Sequence, residues 1–271
     1  MERCLFFFCA KTIIENETRV LFNEVIKQSR RSMKTSGYLT MADGTEIFYT
    51  IFGEGEPVLF LHGNGGNSRF FHYQVAPFKK HFELIFLDSR AHGKSNNRGE
   101  HLSFRLMARD TKEALDALGV SKTSIVGFSD GANLAMTFAA LYPSYVDKLV
   151  LNSGNLSFRG TKFFSRILSY LQYGAGALLS ILSGRFKDVK LRAKLLVNDL
   201  DLSEEELRQL KCPAMVIVGA KDVIETSHSK HIASLIPGGR YVEVADQGHN
   251  LARTDAESFN DIVIDFLKGA S

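Results

Sequence analysis

From residue 37 onward, short runs of β-branched and aromatic residues alternate with longer segments whose apolar positions recur at helical spacing. Strands are predicted over 38–41 and 46–52, joined at Asp43-Gly44, a pair suited to the positive φ of a hairpin turn. Further strands are predicted over 57–61, 84–87, 123–126, 148–151, 214–218 and 241–244. Helices are predicted over 68–78, 104–118 with Gly119 as a stop, 132–141, 226–235 and 255–267. The interval 155–210 lacks strand runs and holds helix-like patches at 163–173, 177–182, 191–197 and 203–210. This order predicts an α/β protein: a mostly parallel central sheet with flanking helices, an antiparallel hairpin at one edge, and a small helical lid inserted between two strands over about 155–210. Residues 1–36 are read as an N-terminal extension and 37–271 as one domain, with no internal repeat or low-complexity tract.

Composition narrows the class. A chain of 271 residues with 45% hydrophobic content can bury a large core without disulfides or a structural metal. Cys4, Cys9 and Cys212 are odd in number and not spaced as a disulfide framework or zinc site, which favours a reducing cytoplasm. The formal charge is +3, and residues 1–34 alone carry seven Lys/Arg against four Asp/Glu, so the rest of the chain balances. That balance argues against a nucleic-acid partner.

The apolar stretch 5–10 is too short to span a bilayer and lacks a small-residue cleavage site before Lys11. Residues 12–30 carry a partial helical stripe, read as a helix on the body or an extension of it. Surface attachment to a membrane is the alternative, and Met33 is a second candidate start. The expected partner is a small-molecule substrate rather than nucleic acid or a membrane, and the oligomeric state is left open.

Chemistry concentrates at Gly127-Phe128-Ser129-Asp130-Gly131, which follows the strand ending at Val126 and precedes a helix. That is the setting of a nucleophile elbow, in which glycines flank the serine because a Cβ at either place would crowd the neighbouring elements. A serine hydroxyl is a poor nucleophile without a base and an orienting acid. Asp222 lies just past the 214–218 strand, and His249 lies between the last strand and the last helix. Asn152, at the end of the 148–151 strand, cannot carry an acid's charge. His62 is read as a loop residue bonding to backbone and His92 as a turn residue. His228 and His231 have a metal-like spacing without a third ligand and are assigned to a solvated face.

Four motifs in order, His62-Gly63-Asn64-Gly65, Asp88 to Ser95, Gly127 to Gly131, then Asp222 with His249, resemble the α/β-hydrolase superfamily over residue 37 to the C-terminus. The departure is Ala91, where the family usually has glycine, and it bears on turn geometry. The resemblance implies a Ser129–His249–Asp222 triad, with an oxyanion hole from the backbone N–H groups of Asp130 and Asn64. The implied activity is a serine hydrolase cleaving a small-molecule ester, amide or thioester through an acyl-enzyme, with no metal or organic cofactor. Carbon–carbon bond hydrolysis by the same triad and a small-ligand receptor role are the alternatives. The Asp130 carboxylate is read in two ways, as an attractor of amine-bearing substrates or as a partner of the elbow helix dipole. Phe163, Phe164, Leu168, Tyr170, Leu171 and Tyr173 are read either as an apolar pocket roof or as residues that pack the lid on the body.

Overall fold

The structure, a computed structural model, describes residues 35–269. Cys4, Cys9, Met33 and the stripe at 12–30 lie outside them. Among the described residues, one eight-stranded sheet organises the chain: β1 Thr35–Thr40, β2 Glu46–Phe52, β3 Glu56–Leu61, β4 Phe82–Leu87, β5 Thr123–Phe128, β6 Val146–Asn152, β7 Ala214–Gly219 and β8 Arg240–Val244. Their spatial order is β1-β2-β4-β3-β5-β6-β7-β8. The hairpin β1–β2 joins β4 antiparallel, with Thr50 opposite Phe86, and every later pairing is parallel. β5 and β7 are buried along their whole length, as expected of parallel strands covered on both faces.

The helices are α1 His72–Phe78, α2 Phe104–Ala117, α3 Asp130–Leu141, α4 Phe163–Leu182, α5 Lys187–Val197, α6 Glu204–Arg208, α7 Thr226–Leu235, α8 Leu251–Thr254 and α9 Ala256–Lys268. α2 shows why such segments coil: the Ser103 side chain accepts from the Leu106 N–H, and Phe104, Met107, Ala108, Thr111 and Leu115 form one buried face. On one side of the sheet, α2, α3 and α7 bury Leu115, Leu134, Phe138 and Ile232 against Leu59, Ile125 and Val216. On the other, α1 and α9 bury Phe78, Phe259 and Val263 against Phe60, Val126 and Ile217. Phe60 stacks on Phe86 at 4.8 Å and meets Phe71 and Phe78 edge-on. Truncating such a ring costs about 3–5 kcal/mol.

Three helical segments differ from the sequence reading. The 68–78 segment is a 3-10 turn, Ser68–Phe71, followed by α1. The patches 163–173 and 177–182 are one helix, α4, because Gly176 does not break it but packs against α5. A short helix absent from the sequence reading, α8, precedes the predicted last helix, which forms as α9 because the Asp255 side chain caps it by accepting from the Ser258 N–H. α4, α5 and α6 lie between β6 and β7.

Candidate active site

Parallel strands send their following loops to one edge of the sheet, and four such loops converge here. β5 ends at Phe128, and Ser129 follows with φ 54 and ψ −121, a left-handed backbone that costs about 1–3 kcal/mol in a non-glycine residue. The turn is held by the Ser129 N–H donating to Asn152 O at 2.8 Å and by Ser129 O accepting from Ala132 and Asn133. It is also the reason for both glycines. A Cβ on Gly127 would stand 2.3 Å from Gly131 O, and one on Gly131 would stand 1.9 Å from Leu61 O.

The histidine arrives on the loop after β8 and the acid on the loop after β7. The two loops are tied together by the Lys221 N–H donating to Gln247 O at 2.7 Å. His249 Nε2 lies 3.1 Å from Ser129 Oγ, and His249 Nδ1 lies 2.8 Å from Asp222 Oδ1. Asp222 is buried, and burial is the largest single influence on its carboxyl, pushing it upward. Hydrogen bonds from His249, the Ser153 hydroxyl and the Ile224 N–H together outweigh that and hold it below the ordinary carboxylate range.

Ser153 is a residue the sequence reading missed. It sits beyond β6 at φ 60 and donates to Asp222 Oδ2 at 2.5 Å. The signal was adjacency to Asn152, the alternative acid position. Asn152 is itself buried and donates to Ser153 Oγ and Ile217 O, so this strand end supports the acid instead of supplying it.

The loop after β3 carries Asn64. Its amide donates to Asp130 Oδ2 and to Arg192 O, both at 2.8 Å. Among the described residues, no hydrogen bond engages the backbone N–H of Asp130 or of Asn64. The Asp130 carboxyl is buried at the first position of α3, and burial raises it to about 6 against the Asn64 hydrogen bond and the nearby His249. Arg192, another residue without a sequence signal, extends from α5 and donates to Ala91 O, which bridges the inserted helix to the turn after β4.

That turn explains the Ala91 departure. Ala91 has φ 65, so glycine's usual place is filled by a residue held in the left-handed region. The Asp88 carboxylate anchors the turn by accepting from the Ser68 and Lys94 N–H groups. His62 is neutral with its proton on Nδ1, since Nδ1 donates to Gly63 O while Nε2 accepts from the Ser89 N–H. Burial lowers its pKa, and burial takes His92 down to about 3.

Two sequence readings need correction. His228 is not on a solvated face: it is half-buried, and its Nε2 accepts from the Leu156 N–H, while His231 is exposed and pairs with Glu204. The six aromatic and leucine residues of α4 mostly face water: Tyr170 meets the buried Phe158 ring edge-on at 4.9 Å and Tyr173 is half-buried. Five of them, all but Tyr173, are exposed. Among the described residues no group of three or more His, Cys, Asp or Glu could hold a metal ion.

Comparison with known proteins bears on the fold. The family model described as alpha/beta hydrolase fold matches residues 56–176, which contain the Asn64 loop and the elbow. The chain has the α/β-hydrolase fold. The chain is 28% identical over 247 residues to the human serine hydrolase BPHL, covering 83% of this chain and 84% of that protein. The fold is shared with an esterase from Exiguobacterium antarcticum, with TM-score 0.74, 20% identity, and 86% of this chain and 100% of that one covered. It is shared too with the enol-lactonase of Burkholderia xenovorans LB400, with TM-score 0.68, 22% identity, and coverage of 86% and 100%.

Proposed function

We propose that this protein is a serine hydrolase that cleaves a small-molecule ester through an acyl-enzyme. The observation that carries the reading is the continuous chain of hydrogen bonds from Asp222 through His249 to Ser129. With Nδ1–H donated to Asp222, the imidazole presents an Nε2 lone pair to the serine hydroxyl. Ser129 Oγ attacks the carbonyl carbon as its proton passes to Nε2, and Asp222 stabilises the resulting imidazolium. The tetrahedral oxyanion accepts from the Asp130 and Asn64 backbone N–H groups, both of which lack another partner among the described residues. Collapse breaks the bond to the leaving oxygen, which takes the proton from Nε2 and departs as the alcohol. Water then attacks the acyl-enzyme, gives its proton to Nε2, and the acid leaves as Ser129 recovers that proton.

The dense support around Asp222 favours this role, because a carboxylate held by three donors stays ionised while the histidine changes charge. The Asp130 carboxyl is buried and already bonded to Asn64, which favours a structural part over recruitment of amines. The test is hydrolysis of short-chain and medium-chain activated esters by wild type and by Ser129→Ala, both checked for folding by circular dichroism. A loss of about 10³-fold or more is expected. Unchanged turnover in the variant overturns the proposal, and so does a folded wild type inert on the whole panel.

A further inference from the structure

α4 is turned inside out for a helix of a water-soluble surface. Ser165, Ser169, Tyr173, Gly176 and Ser180, three or four residues apart, are its less exposed face. On that face Gly176 is buried, and a Cβ there would stand 3.2 Å from Lys190 Cα, so the small residues let α4 lie close on α5. The opposite stripe, Phe164, Leu168, Leu171, Ala175, Leu178 and Leu182, repeats at the same spacing and faces water. Phe164 is 83% exposed, Leu171 64%, Leu178 59% and Leu182 73%. Folding normally buries such a stripe and leaves serines outside. Isolated exposed leucines are ordinary, but a contiguous stripe of this length marks a surface that meets something apolar.

Charge identifies what it meets. Residues 158–198 hold eight Lys/Arg and one acid, Asp188, so this segment carries +7 in a chain whose total is +3. Within α4 the only charge is Arg166. Arg159 and Lys162 precede the helix and Arg185 follows it, so cations bracket the apolar stripe at both ends. None of these three side chains has a carboxylate partner among the described residues. An apolar face with cations at its ends is the pattern of a helix that lies in the headgroup region of an anionic bilayer, apolar side down. No helix among the described residues is long and apolar enough to cross a membrane, which leaves lying on one as the mode that fits.

We infer that α4, with Arg159, Lys162 and Arg185 around it, is a docking surface for anionic membranes. The inference is independent of the catalytic reading, because none of these side chains belongs to the candidate active site.

The test is co-sedimentation of the full chain with vesicles of phosphatidylcholine containing phosphatidylserine, and with vesicles of phosphatidylcholine alone. Wild type is expected to bind the mixed vesicles, and the triple variant Phe164→Ser, Leu171→Ser, Leu178→Ser to bind them about 100-fold more weakly. A second variant, Arg159→Gln, Lys162→Gln, Arg185→Gln, is expected to lose most of the preference for phosphatidylserine. All six positions are outside the sheet and its two cores, and circular dichroism establishes that both variants fold. Wild type that binds neither vesicle overturns the inference. Equal binding by wild type and the serine variant does so as well, since the affinity would then come from another segment such as residues 1–34. A wild-type dimer in analytical ultracentrifugation that becomes monomeric in the serine variant, without vesicle binding, would assign the stripe to a second copy of the chain and also overturn it.

Discussion

Asp130→Asn tests whether the carboxyl beside the candidate nucleophile is an electrostatic cost to the fold. Asp130 is buried at the start of α3 and its Oδ2 accepts from the Asn64 amide. Burial is the dominant influence and raises its pKa from 3.8 to about 6. Because the folded value lies above the unfolded one, the native state binds the extra proton between those two values. The cost is therefore absent below pH 3.8, grows as the pH rises, and is complete above pH 6. The full difference is worth about 3 kcal/mol. Asparagine keeps nearly the same shape, and its carbonyl can accept from Asn64, so the variant removes the charge and little else.

The variant is expected to be more stable than wild type by about 3 kcal/mol at pH 8 and by about half that at pH 5. Urea denaturation followed by circular dichroism at the two pH values measures this, with equal slopes required for a fair comparison. A variant no more stable than wild type at pH 8 refutes the reasoning. So does a gain of equal size at both pH values, since a packing effect has no reason to follow ionisation.

Other residues give sharper local tests. Ser153→Ala removes one donor from the Asp222 carboxylate, and kcat for an activated ester is expected to fall about tenfold with KM within about twofold, read by steady-state kinetics. Gly131→Ala places a Cβ 1.9 Å from Leu61 O, against backbone that cannot yield, and is expected to cost about 3 kcal/mol or more of stability with loss of activity, read by thermal melts. Arg90 is 1% exposed and bridges Asp110 and Asp43 at 2.6 Å each, so Arg90→Gln leaves Asp110 buried without its partner. A loss of about 3–5 kcal/mol is expected in denaturant titration. Matched cationic and neutral esters are expected to keep their rate ratio within about twofold in Asp130→Asn, because the carboxyl already has an internal partner.

Much of this protein is legible along the chain because its determinants are local. The apolar runs at 57–61, 123–126 and 214–218 read as buried strands from composition alone, and they became β3, β5 and β7. The Gly-x-Ser-x-Gly segment announced a sharp turn because only residues without a side chain tolerate backbone at contact distance, and 1.9 Å to Leu61 O bears that out. Ser129, Asp222 and His249 were each placed at a strand end by position, so the sheet's parallel topology had only to bring those ends together.

What needed tertiary structure depends on contacts between distant segments. Ser153 looked like any serine until β6 and β7 lay side by side and put its hydroxyl on Asp222, 69 positions away. Arg192 had no signal because its carbonyl partner belongs to the turn at Ala91. The +7 of residues 158–198 is itself local in the sequence and was hidden only by summing charge over the whole chain; what the fold added is that its apolar helix faces water. The periodicity of α4 was visible, but periodicity identifies two faces without saying which meets protein and which meets water. Only the packing of Gly176 on Lys190 decided that, and it turned the apolar face outward.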